Sequence, residues 1–387
     1  MSIAAEATLR ANDYKTGLLS EITVAGGLIR SIRALADDPD ASAPWVCPGF
    51  IDVQVNGFGG FNLNGGEVDR HTLPGMLGAL AAHGVTSCMP TIITASNAAM
   101  SGSIEAIRQA CEDDPATDAA VVGIHLEGPY LSAAPGFRGA HPPSEMRDPD
   151  ARELLEWQRA SGGRIRKMTL APEREDAIAF IRLLRQHGII AAIGHSNASS
   201  GQIAEAIEAG LTMCTHLGNG THYMLPRHAA CVWDLLAARG LYAGFIADGH
   251  HLPRAVVETI VAMKGDKAVL VSDAVHLAGL AAGKYGTHIG GDVELLPSGR
   301  LQLAADPNVL AGSAMSMLDG VNYLLKLYPD NMKGVIDMAT AHPAAMLGLT
   351  DRGRLAEGSR ADLVVYTMSG GGRMDIGEVW RQGVRMC

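Results

Sequence analysis

Aromatic residues are scarce in this chain of 387 residues, at 5%, and basic residues are outnumbered: 31 Lys and Arg face 41 Asp and Glu, a formal net charge of −10. That balance argues against a nucleic-acid partner, whose phosphates need a basic face. One phosphate on a small substrate is not excluded, because local donors can bind it whatever the global charge. Long apolar runs are missing as well. Although 47% of the residues are apolar, no run approaches the ~20 residues needed to span a bilayer, and no membrane partner is expected. The six cysteines are scattered with no CxxC pair, which suits free thiols in a reducing compartment better than a disulfide framework. The opening residues MSIAAEATLRANDYKTG lack the basic and apolar regions of a signal peptide, so a cytoplasmic location is expected. Neither a GxGxxG after a first strand nor a P-loop is present.

What the chain does have is a repeating order. Eight short apolar runs alternate with helix-like stretches such as GQIAEAIEAG and PRAVVETIVAMKG. The runs are PGFIDVQV, GVTSCMPTII, AAVVGIHLEG, IRKMTLAPE, GIIAAIGHS, LTMCTHLGN, YAGFIADGH and KAVLVSDAV. Eight β-then-α units in ~230 residues have the size and order of a (β/α)8 TIM barrel, and a doubly wound open sheet is the competing layout. The two ends read instead as short strands with turns, and neither is long enough to form a domain alone. The expected architecture is α/β. A (β/α)8 barrel spans residues 48–350, and a small β-sandwich domain is built from both chain termini, residues 1–47 and 351–387.

A TIM barrel carries its active site at the C-terminal ends of its strands. There the sequence places Glu127 in GIHLEGPY, His195 in IGHSNA, His216 in CTHLGN, Asp248 in ADGHH and Asp273 in VSDAV. Any single histidine of this kind is readily a satisfied loop residue. One Glu and two His, each just past a buried strand, can converge on a metal, and catalytic zinc commonly takes three such ligands plus water. A metal so held acidifies water and polarises an acyl oxygen. Asp273 then suits a general base that accepts the water's proton and returns it to a departing amine. The alternative for Asp273 is a structural cap before a helix.

The ordered set PGFIDVQVNGFGG, HLEGPYLS, GAHPP, IGHSNA, THLGNG, ADGHH, VSDAV, LAGSAMSM, ATAHPAAMLGL and GSRADLVV resembles the N-acetylglucosamine-6-phosphate deacetylase family of the amidohydrolase superfamily, over nearly the whole chain. The resemblance implies a barrel with a terminal β-sandwich, usually a homodimer. It also implies metal-dependent deacetylation of N-acetylglucosamine 6-phosphate to glucosamine 6-phosphate and acetate. It implies metal ligands at Glu127, His195 and His216, Asp273 as the catalytic carboxylate, and His141 as the histidine that polarises the acetyl carbonyl. His251 matches a residue that contacts the sugar or its phosphate. Asn219 and Gly220 match positions whose backbone groups meet the phosphate. Arg227 matches an arginine that reaches it from the neighbouring subunit, with a plain surface arginine as the alternative. Met315 is a candidate for the acetyl pocket or for core packing. Gln54 and Asn56 in DVQVNG stand where many amidohydrolases carry an HxH pair. One divalent metal ion per subunit is therefore expected, zinc first, with iron(II), cobalt and manganese able to share such ligands.

The sequence departs from the family pattern at THLGNGTHYMLPRHA, where familiar members read close to THLYNAM or THLFNAM. Gly218 stands in place of an aromatic residue, Gly220 in place of alanine, and His222, Tyr223 and His228 are additions. Because this stretch belongs to the implied phosphate site, an unphosphorylated or otherwise different N-acyl amino sugar is the alternative substrate. A non-catalytic relative would have lost ligands or the base, whereas Glu127, His195, His216 and Asp273 are all present. The other histidines (His71, His83, His187, His250, His276 and His288) read as surface or supporting groups.

Overall fold

A strand buried on both faces needs apolar side chains in succession rather than in alternation, and the eight apolar runs meet that requirement. In a computed structural model, which describes residues 6–65, 68–287, 291–307 and 309–387, each run supplies one strand of a single parallel sheet. The strands are β1 (Phe50–Val55), β2 (Val85–Ile93), β3 (Ile124–Glu127), β4 (Ile165–Leu170), β5 (Ile190–Ile193), β6 (Leu211–Cys214), β7 (Tyr242–Ile246) and β8 (Ala268–Val271). They lie side by side in sequence order, and all six residues of β1 are buried. The first and last strands close the circle: Asp273 N–H donates to Gln54 O at 2.9 Å, and Asn56 N–H to Ala274 O at 2.8 Å. The fold is a (β/α)8 barrel.

Each strand is followed by a helix: Thr72–Ala81, Asn97–Asp113, Ala151–Ala160, Ala177–Gln186, Ser200–Ala209, Cys231–Ala237, Arg254–Lys264 and Met317–Leu327 respectively. Their apolar stripes face the sheet. In Ala177–Gln186 the buried residues are Ala177, Phe180, Ile181 and Leu184, the spacing of one helix face. Ser199 opens Ser200–Ala209 with a capping box in which its hydroxyl accepts from Gln202 N–H and the Gln202 side chain accepts from Ser199 N–H. That cap ends the loop that leaves β5, so the segment carrying His195 is short and fixed at both ends. No helix among the described residues is long and apolar enough to cross a membrane.

Both chain ends join one seven-stranded sheet. Its spatial order is Val384–Arg385, Arg373–Arg381, Leu363–Ser369, Trp45–Pro48, Ala7–Asp13, Leu19–Ala25 and Leu28–Ala34. The sheet curls back on itself, since Leu28 bridges Arg360 and Ile29 N–H donates to Ser359 O at 2.9 Å. It thereby encloses a core of its own, with Ile22, Val24, Ile29, Val46 and Leu363 at the centre.

A third sheet is inserted between β8 and its helix. It is antiparallel, formed by Gly283–Thr287, Gly291–Leu295 and Leu301–Leu303. The apolar pattern gives no sign of it, because strands reading GKYGT and GDVEL carry glycine and charge where a core strand carries Val or Ile. Val293, Leu295 and Leu301 pack with Leu277 and Ala314, which sets the insert beside the barrel mouth.

Candidate active site

Four strands deliver a polar side chain into the barrel mouth. Glu127 is the last residue of β3. His195, His216 and Asp273 each lie two residues beyond the ends of β5, β6 and β8. All three have a left-handed backbone, with φ of 51°, 26° and 48°. For a residue other than glycine this conformation costs of order 1–3 kcal/mol and persists only where the surroundings impose it.

The two histidines meet Glu127. Its Oε1 lies 2.8 Å from His216 Nε2 and 3.3 Å from His195 Nε2, and the two ring nitrogens are 3.1 Å apart. His195 Nδ1 must donate, because its partner at 2.7 Å is the carbonyl oxygen of Phe137; in the neutral ring this leaves the Nε2 lone pair free. Ligands bound to zinc at ~2.0–2.2 Å lie roughly 3.3 Å from one another. The donor set and its spacing therefore fit one divalent cation. His141 stands at the edge of the same group, with ligand atoms of Glu127, His141 and His195 all within 4.8 Å of one another. Two glycines clamp the His195 ring. A Cβ on Gly220 would come within 2.5 Å of His195 Nδ1, and one on Gly139 within 3.0 Å of His195 Cε1. The departure from alanine at Gly220 thus has a steric cause here.

The electrostatics divide the two carboxylates. Burial works against ionised Glu127, but its contacts with His195 and His216 outweigh burial and hold it well below the usual carboxylate range. Burial, and then the charge of Glu127, raise Asp273 above that range. Gln54 Nε2 donates to Glu127 Oε1 at 3.2 Å and to Asp273 Oδ1 at 3.1 Å, and Asn56 Nδ2 donates to Asp273 Oδ1 at 2.8 Å. Both bonds to Asp273 fall on Oδ1, which leaves Oδ2 for water or substrate. Sequence reasoning treats Gln54 and Asn56 only as a missing HxH pair. The strand's period gives no signal for their actual place, because a register shift between Asp52 and Val55 interrupts the alternation of β1. Asp52 is fully buried and pushed up to about 7 by burial; it accepts from Ser272 Oγ and ties β1 to the end of β8.

Three further groups complete the surroundings. Burial, and then His195, lower His141 to about 3, so its ring is neutral, and its Nδ1 lies 3.0 Å from Thr94 Oγ1. Asp248 sits 2.6 Å from His251 Nδ1; burial opposes its charge, but His251 holds it down at about 2. Lys167 of β4 is fully buried, with Nζ donating to Val53 O at 3.2 Å. Burial lowers it to about 8 against the opposing pull of Glu127, Asp273 and Asp52.

A cavity of about 460 Å³ opens over these groups. Eight expected residues line it: Glu127, His141, His195, His216, Asn219, Gly220, His251 and Asp273. Arg227 does not line it and is exposed; its expected role concerns the site of a second chain. No Lys or Arg is among the described residues that line the cavity. His276 lines the wall rather than serving at the surface. Met315 is not part of the wall; it lies against Gly299, whose added Cβ would come within 2.2 Å of Met315 Sδ. The His222 ring meets Phe137 edge-on at 4.3 Å, His228 is exposed, and His288 lies outside the described residues.

The model of the amidohydrolase family matches residues 45–385. The chain belongs to that family. This amidohydrolase is 31% identical to an N-acetylgalactosamine-6-phosphate deacetylase of Escherichia coli O157:H7, over 94% of this chain and 93% of the relative. It is 34% identical to an N-acetylglucosamine-6-phosphate deacetylase of Bos taurus, over 86% and 82%. The crystal structure of N-acetylglucosamine-6-phosphate deacetylase from Pasteurella multocida matches with a TM-score of 0.87 at 26% identity, covering 98% of this chain and 99% of that one. The protein is accordingly a hydrolase that acts on a carbon–nitrogen amide bond, and the resemblance carried by its motifs holds across the chain.

Proposed function

We propose that this amidohydrolase removes the acetyl group of N-acetylglucosamine 6-phosphate, giving glucosamine 6-phosphate and acetate. The observation that carries the reading is the meeting of Glu127, His195 and His216 in one cavity with Asp273 and His141. The chain's relatives, named as deacetylases of amino-sugar phosphates, support it.

Glu127, His195 and His216 would hold a single divalent cation, zinc in our reading, which when bound polarises the acyl oxygen and acidifies water. Asp273, with Oδ1 held by Gln54 and Asn56, takes the proton of the attacking water on Oδ2, and its raised basicity suits that task. Neutral His141, in the tautomer with its proton on Nε2, directs that N–H at the developing oxyanion; in that tautomer the Thr94 hydroxyl, which in the structure donates to Glu127 O, turns to Nδ1. Asp273 then returns the proton to the nitrogen, because an amine leaves readily only when protonated. Backbone groups at Asn219 and Gly220 receive the phosphate, and His251, oriented by Asp248, contacts the sugar or the phosphate.

The assembly we propose is a homodimer in which Arg227 of one chain serves the site of the other. In support, Tyr223 and Met224 beside it are 79% and 85% exposed, an apolar patch of the kind that marks an interface. The six free cysteines, five of them buried, suit a cytoplasmic enzyme. A division into residues 48–350, and 1–47 with 351–387, is supported by the separate core of the terminal sheet.

The test is kcat/KM for N-acetylglucosamine 6-phosphate and unphosphorylated N-acetylglucosamine, side by side, on metal-loaded protein. The expected preference for the phosphate ester is ~100-fold or more, worth ~2.7 kcal/mol. Equal or reversed rates move the assignment to an unphosphorylated N-acyl amino sugar, the reading favoured by a cavity wall with no Lys or Arg among its described residues. The 4-epimer in the same assay separates the two sugar classes named among the relatives. No turnover of any of them refutes deacetylation.

A further inference from the structure

His222 is one of the additions that set the stretch after His216 apart from the family pattern, and the proposed reaction gives it no task. It is half-buried, and neither it nor Phe137 is among the described residues that line the catalytic cavity. Its ring packs against Phe137 instead, with centroids 4.3 Å apart and planes at 72°, the edge-to-face arrangement that aromatic pairs favour. Phe137 is 4% exposed, and its carbonyl oxygen takes the Nδ1 proton of His195 at 2.7 Å. A second contact joins the same two segments. Gly136 has φ of 87°, and a Cβ there would come within 2.9 Å of Thr221 O and 3.2 Å of Tyr223 N. Backbone therefore lies against backbone next to the ring pair. The two segments also enclose the His195 ring, through Gly139 on one and Gly220 on the other.

We infer that His222 is a positioning residue for the metal. By seating the Phe137 ring it holds the Phe137 carbonyl on His195 Nδ1, and so keeps the Nε2 lone pair turned to the cation. The inference rests on the reading of Glu127, His195 and His216 as metal ligands. The loop of residues 128–150 contains only one turn of 3-10 helix, Pro143–Glu145, so neither strand nor helix fixes the Phe137 carbonyl, and its neighbours must. His195 lies past the end of β5 at φ of 51°, a conformation that persists only where the surroundings impose it. When the carbonyl withdraws, Nδ1–H loses its partner and nothing sets the tautomer. A neutral ring with its proton on Nε2 cannot bind a metal through that atom.

The experiment titrates zinc against a chromophoric chelator for wild type, His222→Ala and His222→Phe. His222→Ala removes the ring and is expected to weaken zinc binding by roughly 10-fold, the lower end of what loss of a ligand-orienting partner costs. His222→Phe keeps a ring in that place and is expected to bind within about 3-fold of wild type. The visible bands of the cobalt(II)-loaded proteins report the ligand geometry directly. They are expected to shift in the alanine variant and to return in the phenylalanine variant. Chelator-treated wild type and His222→Ala are expected to unfold at nearly the same urea concentration; an alanine variant that loses stability along with zinc has only loosened the fold, which overturns the role. Zinc affinity of the alanine variant within about 2-fold of wild type overturns it as well, and so does a phenylalanine variant as weak as alanine. A wild type that binds no divalent metal refutes the ligand set itself, whereas unchanged affinity in the variants leaves that set standing.

Discussion

Replacing Lys167 by Met tests the balance of charge beneath the site. The ammonium is fully buried, its one hydrogen bond goes to Val53 O, and burial lowers it from 10.5 to about 8. In the unfolded chain the ordinary value returns, so the folded state binds its proton less tightly than the unfolded state. Below pH 8 both states are protonated and the native state bears the full cost. That cost is about 3 kcal/mol, from a shift of roughly 2.5 units at 1.36 kcal/mol each. As pH rises from 8 towards 10.5 the native lysine loses its proton first, and the cost is relieved. Methionine, unbranched and apolar, removes the charge and retains most of the volume. It forfeits the bond to Val53 O, about 1 kcal/mol. Lys167→Met is therefore expected to be about 2 kcal/mol more stable than wild type at pH 7, with the gap shrinking by about 2 kcal/mol at pH 10. Urea unfolding of both chelator-treated proteins at the two pH values reads this directly. A variant less stable at pH 7, or a gap that does not move with pH, would refute the reasoning.

Three other substitutions probe the chemistry. Asp273→Asn should retain bound metal yet lower kcat by at least ~100-fold, the usual scale for a general base; near-normal turnover by metal-replete variant sinks that role. Gly220→Ala places a Cβ 2.5 Å from His195 Nδ1, and the displaced ring should weaken metal binding by roughly 10- to 100-fold, measured by competition with a chelator. Thr94→Val removes the hydroxyl from His141 Nδ1 and should lower kcat at unaltered metal content by roughly 10-fold or more, as loss of a tautomer-fixing partner does. Thr94→Ser should restore it; a valine variant that matches wild type would take Thr94 out of the mechanism.

The barrel was legible because a strand buried on both faces announces itself as an apolar run, and all eight runs became strands. The terminal β-domain was legible for the opposite reason, as two short strand-rich ends neither of which can stand alone. The inserted sheet was not, since Gly283–Thr287 and Gly291–Leu295 bury few side chains and apolar periodicity has nothing to report. The chemistry-bearing side chains at strand ends were legible one by one, but their supports were not. Gln54 reaches Glu127 and Asp273 across 73 and 219 residues of chain, and Lys167 reaches Val53 across 114. A lysine inside IRKMTLAPE has the same local pattern whether it points to solvent or into the barrel. Only closure of the barrel decides.

The left-handed residues show where strand logic itself gives way. In β5, Ala192 faces the barrel interior and Ile193 packs with the helices. Strict alternation would then send Gly194 inward and His195 out towards the helices. In β6, Met213 is inward and Cys214 outward. Thr215 is inward again, bonded to Thr169 at 2.7 Å, so alternation would send His216 outward as well. Both histidines nevertheless meet Glu127 inside. A residue at positive φ breaks the pleat, and at these two positions the break moves the imidazole from the helix side to the axis. At Asp273 the same conformation does not change the side, because Val271 already faces inward; there it accompanies the pairing of Ala274 with Val55 that closes the barrel. The strain at His195 and His216 is thus the cost of bringing two donors to one carboxylate from strands whose own period would hold them apart.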